Sequence, residues 1–391
     1  MPQPFKNEIF IKNNFADVDL KDARLANRLS MIVEKMIDKP NASLPSQMEE
    51  WKDAKACYRF FRNPKVTHKR IQTPHRERVK RLASKGKDGE VILFIQDLSE
   101  LDYSSHKNTK GLGQVGNQYG LGIQMHSCLA IRCNDNTSEV LGLAHQIVWE
   151  RKEKKLRGKP KIGEQFRALK ESRVWSQTLR AIEAPPAKYR WVTVCDRGSD
   201  CDDLFYEVKR LGWEAVIRAC QDRRINVNND NKKLMEWIRS RSIKGEHIIS
   251  IRKKGETTKR KIQLNVTWER DIILRPSEGN GAEVELSVIR CWNEEEGIEW
   301  ILYSTIKIDN LEEAIEKIIW YSKRWIIEIY HPYCLYILLV LSIFICLDHF
   351  LGCIRNFCKR AISSSSAKIT HWPGFTVSLN FAESLPFFNH A

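Results

Sequence analysis

Apolar residues recur with a helical period near the start of the chain. In LKDARLANRLSMIVEKMI, Leu20, Leu25, Leu29, Ile32, Val33 and Ile37 fall about every third or fourth position, which predicts an amphipathic helix. A second helix is predicted from Gln47 to Phe61, with Pro45-Ser46 before it and Asn63-Pro64 after it. From residue 90 the period shortens. EVILFIQD is a brief apolar run that ends on a carboxylate, and GIQMHSCLAIR and EVLGLAHQIVW follow it as further strands. Three strands in succession predict an antiparallel meander. A helix near 164–182 comes next, then the buried strand RWVTVCDRG, which also closes on a carboxylate. The helix CDDLFYEVKRLG, stopped by Gly212, and the strand WEAVIRA complete the pattern. This order predicts an α/β fold built on a mixed sheet.

The texture changes over 223–305. HIISIRKK, KIQLNVTWE, AEVELSVIRCW and EWILYST are separated by turn-prone stretches such as RPSEGNG, a β-rich insertion. DNLEEAIEKIIWYSKRWIIEIYH then reads as one helix, with Asn310 and Glu313 spaced as a capping box. The chain thus divides into a small helical domain (1–72), the first part of a core (73–222), the β-rich insertion (223–305), a helix completing the core (306–331) and a tail (332–391). Gly111-Leu-Gly113-Gln-Val-Gly116 matches G-x-G-x-x-G. SSHKNTK rather than a strand precedes it and strand-like residues follow, so a flexible loop is expected there and not a dinucleotide site.

Charge sharpens the picture. The 391 residues include 64 Lys plus Arg against 49 Asp plus Glu, a net charge of +15 that suits a polyanionic partner. Eight of the basic residues fall between Lys69 and Lys87, either a solvated helix face or a surface that tracks phosphates. The eleven cysteines form no C-x-x-C pair or zinc spacing, and no secretory signal is present. Reduced thiols in a cytoplasmic protein follow. The tail stands apart: six of its 60 residues are charged, against 107 of the first 331. Its apolar run, Tyr333 to Leu347, is shorter than the roughly 20 residues a membrane span needs. No membrane partner is expected.

Asp97 and Asp196 each follow a buried apolar strand, a place where a sheet presents side chains to a cleft. Glu328 lies on the last helix with Tyr321 and Arg324, at spacings that put the three on one helix face, and Trp325 is adjacent. Carboxylates from separate elements are the hard ligands that two divalent cations need to stabilise both oxygens of a phosphodiester displacement. An Asp after a strand is also a common turn residue, and the neighbouring residues carry the distinction.

QDLSELDY around Asp97, VCDRGSD around Asp196 and YSKRWIIE around Glu328 resemble the DDE-type cut-and-paste transposases of bacterial insertion sequences, the group with a Tyr-x-x-Arg-x-x-x-Glu signature. LKDARLANRL and AKACYRFFRNPKV resemble the amino-terminal DNA-binding region of that group. The resemblance runs from about residue 10 to His331. It implies an RNase H-like core with a β-rich insertion between the second Asp and the Glu, preceded by a small helical DNA-binding domain. It further implies that Asp97, Asp196 and Glu328 are catalytic and bind Mg²⁺ or Mn²⁺, two ions per site. Tyr321, Arg324 and Arg218 would grip phosphates, with Trp325 beside them, and Trp300 would stack a flipped base, though a Trp in an apolar strand serves equally as core. The implied partner is double-stranded DNA at terminal inverted repeats, held by a homodimer. A non-catalytic DNA-binding protein or inhibitor that recognises those repeats is the alternative. His126 and Cys195, next to the motifs, read as packing residues.

Past His331 the resemblance stops. Leu335 stands where the family pattern has Lys, seven residues beyond the Glu, and the charged helical continuation toward a dimerisation region is missing. A shifted reading frame near His331-Pro332 accounts for both changes, with impaired transposition as the consequence. The tail is then out-of-frame sequence prone to aggregation, with a buried helix or a marginal membrane helix as rival readings. Translation of the two other frames downstream is expected to restore a Lys and a charged helix; two uncharged or interrupted continuations would refute the shift.

Overall fold

Five helices open the chain: α1 (Asn7–Phe15), α2 (Ala23–Asp38), α3 (Leu44–Met48), α4 (Trp51–Phe61) and α5 (His68–Ala83). The computed structural model describes residues 7–39, 42–105, 109–116, 120–133, 138–151, 171–251, 260–276, 283–334, 369–370 and 376–377. Leu29, Ile32, Val33 and Met36 of α2 are buried, as the periodicity predicts, and they pack with Phe15, Met48, Cys57 and Phe60. Asp22 caps α2 by accepting from the Arg24 N–H at 3.0 Å. The single helix expected over 47–61 is two. Pro45 sits in the first turn of α3, and Glu49 adopts φ 61, a left-handed conformation that stops α3 before α4 begins.

The sheet follows in the predicted order. Its strands are β1 (Val91–Asp102), β2 (Gly113–Val115), β3 (Gly120–Cys133) and β4 (Ser138–Trp149), then β5 (Arg190–Cys195) and β6 (Glu214–Arg218). Helices α6 (Arg173–Ile182) and α7 (Asp202–Leu211) flank β5. β1, β3 and β4 form the antiparallel meander, and β5 and β6 run parallel to β1 on its other side. The predicted helix start at 164 lies outside the described residues. Gly113–Val115 pairs with β3, and the Gly116 N–H donates to Glu100 Oε2 at 2.7 Å, so this part of the glycine motif is anchored strand and not the flexible loop expected.

The insertion comprises β7 (Arg224–Val227), β8 (Asp230–Lys233), the short helix α8 (Leu234–Arg239), β9 (Gly245–Ile251), β10 (Arg260–Leu274), β11 (Val284–Asn293) and β12 (Ile298–Ser304). β12 pairs with β6, so the insertion extends the central sheet. The last predicted helix is broken into α9 (Leu311–Ser322) and α10 (Trp325–Cys334). Asn310 caps α9 by accepting from the Glu313 N–H at 2.9 Å, the capping box the sequence suggests. Residues 369–370 and 376–377 pair with each other, and the first pair lies against Glu100 and Leu101. Leu335 and the rest of the apolar tail run lie outside the described residues. No helix among the described residues is long and apolar enough to cross a membrane.

Two cores cover the two faces of the sheet. One packs Phe94, Trp191 and Trp213, ring centroids 4.8–5.3 Å apart, against α5, α6 and α7. The other packs Leu93, Ile95, Val192, Val194 and Val216 against α9 and α10. Helix α5 joins the helical region to the sheet: Ile71 belongs to the helical core, and Val79 and Ala83 to the first sheet core.

Side chains of α5 also satisfy the backbone of β4, whose outer edge has no strand partner among the described residues. Gln72 Nε2 donates to the Gln146 carbonyl and the Gln146 N–H donates to Gln72 Oε1, both at 3.1 Å. The Leu143 N–H donates to His75 Nε2 at 3.0 Å, which leaves the His75 proton on Nδ1, 2.7 Å from Asn14 Oδ1. Burial lowers the His75 pKa to about 4 from 6.5. The unfolded chain therefore binds this proton first as pH falls. Stability carried by His75 is full above pH 6.5 and is lost toward pH 4, up to about 3 kcal/mol. His75→Gln is expected to flatten the fall in urea-unfolding free energy between pH 7 and pH 4.5; an unchanged slope would contradict this assignment.

Candidate functional site

Strand parity selects the residues that meet here. In β1, Leu93 and Ile95 point toward α9 and α10, and Ile92 and Phe94 point away; in β5, Val192 and Val194 point toward those helices and Trp191 and Cys195 away. The same alternation turns Asp97 and Asp196 toward α9 and α10. β1 and β5 are parallel with Gln96 level with Cys195. Asp97 and Asp196 are the next positions along each, on neighbouring strands about 4.8 Å apart. Arg218 at the end of β6 and Trp300 in β12 follow the same parity as their neighbours Val216 and Leu302, so they share this face.

Helix α10 brings the third carboxylate. Ser322 ends α9, and Lys323 and Arg324 form a turn in which the Arg324 N–H donates to the Tyr321 carbonyl at 2.9 Å. The single helix expected to carry Tyr321, Arg324 and Glu328 is therefore interrupted at Arg324. Tyr321 is buried with its ring edge-on to Trp300, centroids 5.1 Å apart. Arg324 turns to the carboxylates: Nη1 lies 3.3 Å from Asp97 Oδ1, and Nη2 pairs with Glu328 Oε1.

The Asp97 side chain is 1% exposed, that of Arg324 22% and that of Glu328 33%. Burial pushes the Asp97 carboxyl well above the usual carboxylate range; Arg324 opposes the rise, and the charges of Asp196 and Glu328 add to it. Burial works against the Arg324 charge, yet Asp97, Glu328, Tyr321 and Asp196 outweigh it and raise its pKa. All three acids thus act on one guanidinium. Asp196, half-buried, accepts from the Gly198 N–H at 3.0 Å, which fixes its carboxylate at the end of β5.

Around this cluster the other singled-out residues separate by role. Arg218 Nη2 donates to the Glu299 carbonyl at 2.9 Å. Trp325 is half exposed at the start of α10. His126 and Cys195 are buried on the opposite face. His126 meets the Trp175 ring edge-on at 4.6 Å, with Nδ1 3.1 Å from Thr178 Oγ1. Two residues the motifs did not flag tie the neighbouring loops together. Arg223 and Asp200 form a buried pair at 2.6 Å, and Asp200 Oδ2 accepts from the N–H groups of Cys220 and Gln221 at 2.8 and 3.0 Å. That clamp joins the turn after Asp196 to the turn after Arg218. The acidic run after Asp196 was a signal for it, but nothing in the sequence named Arg223 as the partner.

Chemically, three carboxylates facing one guanidinium leave an excess of negative charge and hard oxygen donors, the chemistry that suits Mg²⁺ or Mn²⁺. Among the described residues no group of three or more His, Cys, Asp or Glu side chains closes tightly enough to hold one metal ion. Arg324 occupies the space between Asp97 and Glu328.

The amino-terminal helices match a known family: residues 7–66 fit a family model described as transposase DNA-binding. The match ends just before α5. An α/β protein with a mixed sheet and an amino-terminal helical region that matches a transposase DNA-binding model is the resulting description.

The packing of Tyr321 leads to a distinct expectation. Tyr321→Ala is expected to cost about 3–5 kcal/mol of stability by opening a cavity under Trp300, and Tyr321→Phe far less. Urea unfolding of both variants is the measurement, and equal losses would contradict a packing role for the ring.

Proposed function

We propose that the chain is a DNA transposase with an RNase H-like core, which cleaves phosphodiesters and transfers strands at insertion-sequence ends. The observation that carries this reading is the gathering of Asp97 in β1, Asp196 after the parallel β5 and Glu328 on α10 around Arg324. The mixed sheet and the match over residues 7–66 support it.

In this reading Asp97, Asp196 and Glu328 hold two divalent ions, which when bound supply charge stabilisation to the attacking and leaving oxygens. Arg218 and Arg324 offer guanidinium groups to phosphates on the same face, and Trp300 and Trp325 offer aromatic surface to an unstacked base. Tyr321 holds Trp300 in place. A homodimer would bring two element ends together, although Leu335 replaces the expected Lys, so cleavage by this chain is expected to be weak.

The DNA-reading surface in this proposal is α4. Trp51, Lys52, Lys55, Arg59 and Arg62 are exposed and recur every three or four residues, which makes one stripe along the helix. Trp51 is 59% exposed, and Lys55 lies over its ring at 5.2 Å. On the inner side, Arg28 of α2 pairs with Asp53 at 3.2 Å and holds the helix in its bundle. A cationic stripe with an aromatic end suits a duplex groove.

A second reading, DNA binding without cleavage, draws on the ion pairs that Arg324 makes with two of the three acids. One experiment separates the two: gel shift and Mg²⁺- or Mn²⁺-dependent cleavage of a duplex carrying the element's terminal repeats. The transposase reading predicts a repeat-specific shift with detectable nicking, and Asp97→Asn that keeps the shift and loses the nicking. Arg59→Ala should weaken the shift and lower the salt slope by about one. A specific shift without nicking by the wild-type chain supports the second reading, and nicking that survives Asp97→Asn contradicts the first.

A further inference from the structure

We infer that Arg324 competes with divalent cations for Asp97 and Glu328, and that a DNA phosphate releases those carboxylates by drawing Arg324 away. Metal loading then depends on bound DNA. This inference rests on the proposed metal role of the three acids.

The geometry gives the competition directly. One guanidinium spans both carboxylates, with Nη1 on Asp97 Oδ1 and Nη2 on Glu328 Oε1. A cation that takes those same oxygens competes with the guanidinium for their lone pairs, and the repulsion between the two positive charges weakens whichever of them stays. Its backbone allows the move. Arg324 lies in the turn between α9 and α10, and 22% of its side chain remains open to solvent.

Phosphate is the acceptor that fits. A planar guanidinium binds phosphate oxygens through two parallel N–H groups, as it binds carboxylates. Moving Arg324 onto phosphate leaves Asp97, Asp196 and Glu328 without their shared counter-charge, which strengthens their pull on a divalent ion. By reciprocity, each ligand then raises the affinity of the other. Such coupling keeps a cleavage centre from loading metal before its DNA is in place.

The test is Mn²⁺ binding to the full chain, followed by the electron paramagnetic resonance signal of free Mn²⁺, with and without a short blunt DNA duplex. Arg324→Gln should bind Mn²⁺ about tenfold more tightly than wild type in the absence of DNA. Duplex should tighten binding to wild type by a similar factor and leave Arg324→Gln unchanged. Arg324→Lys, which keeps the charge but loses the fork, should fall between the two and serves if the Gln variant does not fold by circular dichroism. Wild type and Arg324 variants with equal affinity, abolished by adding Asp97→Asn, would overturn the competition and leave the carboxylate site standing. Mn²⁺ binding that is absent throughout, or indifferent to Asp97→Asn, would overturn the carboxylate site itself.

Discussion

The buried Asp97 carboxylate, and the guanidinium that answers it, set the terms for everything else at this centre. An ionised acid with 1% of its side chain exposed is costly, and Arg324 is the cation that the structure supplies. Because Arg324 also reaches Glu328, one side chain links the middle of a central strand to α10.

The sheet does the positioning. Two parallel strands deliver Asp97 and Asp196 at adjacent positions, β6 and β12 deliver Arg218 and Trp300 to the same side, and the clamp between Asp200 and Arg223 secures the turns that follow. The helical region is joined to this framework by more than its linker. Gln72 and His75 of α5 complete the hydrogen bonds of β4, and His75 also bonds Asn14 of α1, so α5 ties the helices that match the family model to the sheet that carries the acids. That arrangement gives the amino-terminal helices a fixed relation to the centre.

Much of this was legible in the sequence because it depends on period and parity. Alternating apolar residues identified the strands that carry Asp97 and Asp196; Asp196 directly follows β5 as expected, but β1 continues past Asp97 to Asp102, so that acid lies inside its strand and not at its end. What escaped depended on local backbone choices without strong markers. Ser322 and Lys323 carry no Gly or Pro to announce a helix break. Glu49 adopts a conformation that a Glu seldom takes. β8 reads DNKK, too polar for a strand signal, although Asn228 and Asn229, both at positive φ, supply the hairpin turn that joins it to β7. The contacts of Gln72 and His75 were hidden inside a run that reads first as basic charge.

The claim that most needs a direct answer is that Asp97, Asp196 and Glu328 form one divalent-cation site. Anomalous diffraction from a crystal of the chain with duplex DNA and Mn²⁺ gives it. The account predicts anomalous density bounded by those three carboxylates, with Arg324 turned from Asp97 onto a phosphate. Density elsewhere, or Arg324 still paired with Asp97 and Glu328 beside bound DNA and ample Mn²⁺, would contradict it.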